Sequence, residues 1–355
     1  MQHPSTPVTD HQNRRHATVS SAGHPPAGTP SGSAPRIASL DVLRGIALAG
    51  ILPVNVQAIA SWGYDAPVRP FTGEAAPIDF VTGLVFEGRM MPLFAILFGI
   101  GFALFLASAG SRTARPRVVL ARRLGFLAVV GVLHHLIYPG EVLAFYAVAG
   151  LVILLPASFL PRWVPLVAGV ALTAAGAPFG GPMLLPGLFL LGAAIVRYDA
   201  LGTLERRPMV HVTAFTIAAV AAAGVTMLQL DEIALGSFSK PGRIAGVLTM
   251  FALALGVLLL MRSRPLARAL TAVFAPLGRM AFTNYLTATL LVVALALAIN
   301  APEMTWLPEY GYLVALAIIP VQWAWSVLWL KHFRYGPLEW VWRTVTWWAP
   351  QPLRK

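Results

Sequence analysis

The chain has no cysteine among its 355 residues, which excludes disulfides, thiolate nucleophiles and thiolate-held metals. Charge is scarce as well: 11% of residues are charged, against about 25% in a soluble domain. With 57% of residues apolar, these are the proportions of an integral membrane protein. Also absent are a GxxxxGK[ST] loop, a GxSxG elbow, an HExxH pair and a GxGxxG turn after a strand. Nucleotide hydrolysis, serine hydrolysis and zinc proteolysis therefore have no sequence support. His134 and His135 lack further ligands at a usable spacing, so no metal site is expected.

The charge that is present leans to one sign, 26 Lys and Arg against 14 Asp and Glu, a net +12. Such an excess can mark a nucleic-acid binder, but here the basic residues stand in short clusters between apolar runs. That is a topology signal, and no nucleic-acid partner is expected. Residues 1–36 are rich in Pro, Ser, Gly and His and hold no apolar run. They cannot repay the entropy of ordering and read as a disordered cytoplasmic tail, without the apolar core of a signal peptide.

Residues 37–355 read as one transmembrane domain. A spanning helix needs about 20 mainly apolar residues. Ten such segments are centred on residues 43–62, 90–109, 121–138, 141–159, 163–177, 183–197, 209–228, 243–261, 280–299 and 311–330. The expected fold is all-α, a polytopic bundle of about ten transmembrane helices. Prolines 156, 161, 165, 178, 182 and 186 break the fourth to sixth segments into short pieces. Alternating the segments across the bilayer places 20 of the 26 basic residues on one side and Arg69, Lys240 and Arg243 on the other, with Arg44, Arg89 and Arg279 at or within spans. By the positive-inside rule both termini are cytoplasmic.

An ionised group at mid-membrane costs about 2.5–3.5 kcal/mol and normally faces a cavity or a partner. In the first span, Asp41 precedes Arg44 by three residues and can pair with it. Asn55, eleven residues after Arg44, lies about 20° from it around the helix and about 16 Å along it. One stripe thus carries Asp41, Arg44 and Asn55, although an interfacial ion pair plus an interhelical asparagine explains it equally well. In FEGRMMPLFAILFGIGFALFL, residues 86–106, Glu87 and Arg89 would project on nearly opposite sides of a helix, each needing its own partner. Gly99 and Gly101 read foremost as packing positions. In VVGVLHHLIYPGEVLAFYAVAG, residues 129–150, His134 and Glu141 flank a Pro-Gly turn that can bring them together. A carboxylate beside a histidine sets its tautomer and raises its basicity, which suits a general base; the plainer reading is a solvated turn. In PLGRMAFTNYLTATL, residues 276–290, Arg279, Asn284 and Tyr285 open the ninth span. The tryptophans at 340, 342, 347 and 348 read as an interfacial belt.

Taken together, LDVLRGIALAGILPVN, GRMMPLFAILFGIGFAL, GVLHHLIYPGEVLAFYAVAGL, PLGRMAFTNYL and FRYGPLEWVWRTVTWW resemble the YeiB family of bacterial membrane proteins, in order from about residue 36 to residue 355. That family, of unknown function and suspected of transport, is itself similar to transmembrane acyltransferases such as lysosomal heparan-glucosaminide acetyltransferase. The resemblance carries over onto Asp41, Arg44, Gly45 and Asn55. It favours His134 over His135 and puts Glu141 where aspartate is usual. The acetyltransferase's catalytic histidine would fall at Ala66, so it is missing here.

The resemblance implies an inner-membrane enzyme that moves an acyl group, acetyl in the first instance, from cytosolic acyl-CoA to a hydroxyl or amino group of an extracytoplasmic glycan or lipid. His134, Glu141 and Asn55 are the expected catalytic residues. Asp41, Arg44, Arg89, Arg279 and Asn284 are the expected carrier-binding ones. The expected partners are the bilayer, a small-molecule or glycan acceptor and, as the class allows, a second copy of the chain. A transporter of a small solute, or a noncatalytic scaffold, would use the same buried polar groups; no internal repeat of the kind common in transporters is visible.

Overall fold

In lipid an apolar run must satisfy its own backbone N–H and C=O groups, and the helix does so within one segment. The computed structural model describes residues 37–60, 77–234, 239–298 and 308–355. The 1–36 tail, Ala66 and Arg69 lie outside the described residues. Among the described residues the extended apolar runs are all helical, and the β pairing is an isolated bridge between Phe333 and Arg354.

In order, the chain forms α1 (Ala38–Ala60), a short α2 (Pro77–Val85), α3 (Met90–Gly110), α4 (Pro116–His135), α5 (Leu143–Ala149) and α6 (Leu155–Ala157), with a π-helical turn between the last two. There follow α7 (Trp163–Gly176), α8 (Leu185–Arg197), α9 (Ala200–Arg206), α10 (Pro208–Ala234) and α11 (Lys240–Leu260). The remainder is α12 (Arg264–Arg279), α13 (Ala281–Ala298), α14 (Pro308–His332) and α15 (Pro337–Trp347). Each of the ten expected segments coincides with one of these helical stretches. Six are long and apolar enough to cross a membrane on their own: α1, α3 with the end of α2, α10, α11, α13 and α14. The proline-broken segments are indeed short, and α8 meets α9 at a 57° bend. Helix α4 carries Arg117, Arg122 and Arg123 in its first half, which dilutes an otherwise apolar run.

Two helices, α12 and α15, fall where loops and a tail were expected. Their apolar residues form a single stripe among Arg264, Arg268, Glu339 and Arg343, and a stripe is invisible to a window that averages hydropathy. Aliphatic side chains cover much of the outside: Val129, Val132 and Leu133 on α4, and Leu136 just after it, are each more than half exposed. A surface of this kind is stable only against lipid, and the chain is a multi-pass membrane protein. Helix α1 is central, with 61% of its span buried, whereas α10 at the rim has 11%.

Between helices in lipid there is no hydrophobic drive, so close backbone approach and polar pairs hold the bundle. Gly99 of α3 sits against the Phe189 carbonyl of α8, the packing role expected of it. Gly101 instead leaves room for the Arg44 side chain, whose Nη2 is 3.4 Å from where a Cβ would stand. At the start of α13 the orphan amides of Phe282 and Thr283 donate to Glu339 Oε1 at 2.8 and 3.1 Å, and the Thr283 hydroxyl donates to Oε2 at 2.5 Å. Glu339 thus caps a helix 57 residues earlier in the chain. Burial raises its carboxyl above the usual range, while the three hydrogen bonds pull the other way. Glu339→Ala is expected to destabilise by about 1–3 kcal/mol, because three donors lose their acceptor at once. Glu339→Gln keeps an acceptor and should lose less than half as much; thermal unfolding of the three proteins in one detergent measures the difference.

Candidate functional site

Helix α4 ends at His135, and the chain turns within seven residues to start α5. The turn is closed by Tyr138 N–H donating to the His134 carbonyl at 2.9 Å and Glu141 N–H to the Tyr138 carbonyl at 3.1 Å. Glu141 then caps α5, its carboxylate accepting from the amides of Leu143 at 2.7 Å and Ala144 at 3.0 Å. A Cβ at Gly131, one turn before His134, would overlap the Ala144 backbone, so glycine there lets the first turn of α5 lie directly on α4. The result is a His134 Nδ1 to Glu141 Oε2 distance of 3.8 Å, with the two side chains 3% and 2% exposed. The adjacent His135 faces outward.

Neither ring nitrogen of His134 has a hydrogen-bond partner, although both are buried. At 3.8 Å the Glu141 oxygen is the nearest carboxylate to the ring but beyond hydrogen-bonding distance. Leaving a buried polar group unbonded costs about 1–3 kcal/mol, so an unsatisfied histidine marks a place where a structure withholds stability from itself. The Tyr285 ring of α13 meets the imidazole edge-on, centroids 5.4 Å apart, and Tyr138 meets it at 6.2 Å. The Tyr285 hydroxyl is also buried without a hydrogen-bond partner of good geometry.

Tyr285 is the link that joins the expected residues. It also lines a crevice with Leu48, Ile51, Leu52 and Asn55 of α1, Thr289 of α13 and Gln322 of α14. The crevice has space for about one water molecule. Tyr285 thus meets the His134 ring and shares the crevice with Asn55, the two residues expected together from the resemblance.

The other expected residues are placed elsewhere. Asp41 and Arg44 pair at 3.2 Å at the start of α1. Arg89 is 1% exposed and donates to the carbonyls of Gly83 at 2.8 Å and Glu87 at 2.6 Å and to Gln229 Oε1 of α10 at 3.0 Å. Glu87 and Arg89 do not lie on opposite faces of a helix, as their spacing suggested. Gly88 has φ of +70°, which turns the chain before α3 starts and lets Arg89 reach the carbonyl two residues back. Asn284, fully buried, donates to Ser326 Oγ at 2.9 Å, and Gln322 donates to the Asn284 carbonyl at 2.7 Å. Both Arg89 and Asn284 are thus engaged in joining helices. Arg279 ends α12 and is half-buried.

Sequence reasoning passed over two residues that matter here. Tyr285 reads in the sequence only as part of a polar opening to its span; the run TNYLTAT, five hydroxyl or amide side chains in an apolar helix, is the available signal. Glu339 was hidden among the tryptophans.

The family model described as "Protein of unknown function (DUF418)" matches residues 195–349. An "Uncharacterized 39.9 kDa protein in amylase 3'region" of Bacillus acidopullulyticus is 31% identical, the match covering 88% of this chain and 94% of that protein. YxaH of Bacillus subtilis is 26% identical over 90% of this chain and 96% of its own, and YeiB of Escherichia coli 27% identical over 88% and 96%. No solved structure matches the chain. Similarity that runs the length of such relatives, with the family model across the C-terminal helices, makes this chain a member of the YeiB-like DUF418 family of membrane proteins.

Proposed function

We propose that the protein is a ten-span inner-membrane acyltransferase with both termini in the cytoplasm, moving an acyl group from cytosolic acyl-CoA to an acceptor at the outer side. The observation that carries this reading is the buried, unbonded His134 imidazole 3.8 Å from the Glu141 carboxylate. That pairing is an unoccupied general base with its counter-charge in place. His134 takes the proton from an acceptor hydroxyl or amine, the acceptor oxygen or nitrogen bonds to the acyl carbon, and the carbon–sulfur bond breaks. The proton then goes to the leaving thiolate, so the products are an ester or amide and free CoA. Glu141, fixed by two backbone amides, holds the charged imidazole. Asn55 and Tyr285 supply donors for the developing oxyanion.

The polar groups suit a thioester, but the crevice beside them has the width of a water molecule. Entry of the pantetheine arm requires α1 and α13 to part. The same narrow crevice, mainly apolar but with Asn55, Thr289 and Gln322 in its walls, favours a second reading, a transporter whose solute passes between α1, α13 and α14.

The test uses purified protein in detergent with acetyl-CoA, following binding and slow hydrolysis of the thioester. Asn55→Ala and Tyr285→Phe are expected to lower hydrolysis about tenfold or more, by loss of one oxyanion donor each. Tyr285→Phe removes the hydroxyl alone and should shift stability by no more than about 1 kcal/mol. Failure of the wild type to bind acetyl-CoA, with solute uptake into proteoliposomes that Asn55→Ala abolishes, would replace this reading by the second.

A further inference from the structure

Arg123 lies on α4 eleven residues before His134, about 16 Å away along the helix. Its guanidinium carbon stands 3.6 Å over the Trp342 ring of α15 and 5.0 Å from the Phe105 ring of α3. The arrangement is locked, since Trp342 Nε1 donates to the Arg123 carbonyl at 2.8 Å. Phe105 is one turn beyond Gly101 on α3, and Gly101 is where the Arg44 guanidinium is admitted. Residues four apart share a helix face, so α3 brings Arg44 and Arg123 to neighbouring positions. Arg343, the residue after Trp342, adds a third positive charge, and both it and Arg44 repel Arg123 electrostatically.

Among the described residues Arg123 meets the faces of Trp342 and Phe105, and Arg44 pairs with Asp41. Neighbouring guanidiniums of like sign are an arrangement that binds phosphate. An aromatic face beneath one of them holds it without using up its N–H donors.

We propose that Arg123 and Arg44, framed by Trp342 and Phe105, form a phosphate-binding site three turns of α4 away from His134. Resting on the acyl-transfer reading, the phosphate assigned to it is that of the nucleotide end of the acyl carrier, about one extended arm from the imidazole. An anionic lipid headgroup carries the same chemistry and is the other source.

The experiment places the protein in phosphatidylcholine nanodiscs and titrates it with inorganic pyrophosphate and with CoA by calorimetry. Separately, the phosphatidylglycerol that the protein retains from mixed-lipid membranes is counted by mass spectrometry. Both soluble probes are expected to bind, about tenfold or more weakly in Arg123→Gln and in Arg44→Gln, the loss of one charge-assisted contact. Arg268→Gln, on the exposed side of α12, controls for net charge and should leave binding unchanged. If Arg123→Gln fails to fold, Arg44→Gln carries the result, as its side chain is 32% exposed. Retention of phosphatidylglycerol that depends on Arg123 and Arg44, with no binding of either soluble probe, keeps the phosphate site and overturns the carrier assignment. Absence of all three, or binding that the two substitutions leave untouched, overturns the site. His134→Ala separates the two claims: CoA binding that persists while hydrolysis is lost supports both, and CoA binding with no hydrolysis in any protein removes the acyl-transfer reading alone.

Discussion

His134→Ala is expected to lower thioester turnover by about 10²–10⁴-fold and to leave the fold in place. The size of the effect follows from the base being the residue that moves the proton in both halves of the reaction. The survival of the fold follows from what the ring touches. Its nitrogens hold no hydrogen bond, so removing them strands no donor or acceptor. Glu141 keeps its two amides from α5, and Tyr285 keeps its place on α13. What is lost in packing is the burial of the ring and its edge-on contacts with two tyrosine rings, the contacts alone worth about 0.5–1.5 kcal/mol each. Turnover of acetyl-CoA by wild type and variant, with melting temperature as the control for folding, checks both parts. Turnover within tenfold of wild type in a well-folded His134→Ala protein would remove His134 from the mechanism.

The largest expected effect on stability lies at the crossing of α1 and α12. A Cβ at Gly278 would overlap the Asp41 carbonyl oxygen, and one at Gly45 would overlap the Phe274 carbonyl. The obstacles are backbone atoms, which no rotamer change can move, so Gly278→Leu must push the helices apart. Overpacking of this kind costs about 1–3 kcal/mol where side chains can yield, and more is expected here. Separation would also displace Asp41 and Arg44 at the same crossing. The control is Gly125→Ala on α4, where nothing stands within 4 Å of a new Cβ. An exposed glycine in a helix is less stable than alanine by roughly 0.5–1 kcal/mol, so that change should be neutral or stabilising. Comparing the yield and melting temperature of the two variants tests whether α1 and α12 are held by backbone contact.

The long apolar runs announced their helices because lipid leaves the backbone a single solution, and even the proline-broken stretches between residues 141 and 197 are helical in short pieces. Helices α12 and α15 were harder to see, since a one-sided stripe averages to a moderately polar segment. The nearness of His134 to Glu141 was legible because a turn of seven residues can only double back. Arg89 misled for a local reason: the left-handed Gly88 removed the helix on which the spacing argument depended. Tyr285 and Arg123 could not be read from spacing, because their roles come from contacts across the chain, with His134 and Asn55 in one case and with Phe105 and Trp342 in the other.

The most direct test of the central claim follows the acyl group itself. Inside-out membrane vesicles containing the protein are supplied with acetyl-CoA labelled on the acetyl carbon, and label is counted in the glycan and lipid fractions after the vesicles are washed. The account predicts label in one of those fractions with wild type and none above background with His134→Ala. Equal labelling by the two proteins, or none with either while the thioester stays intact, would contradict it.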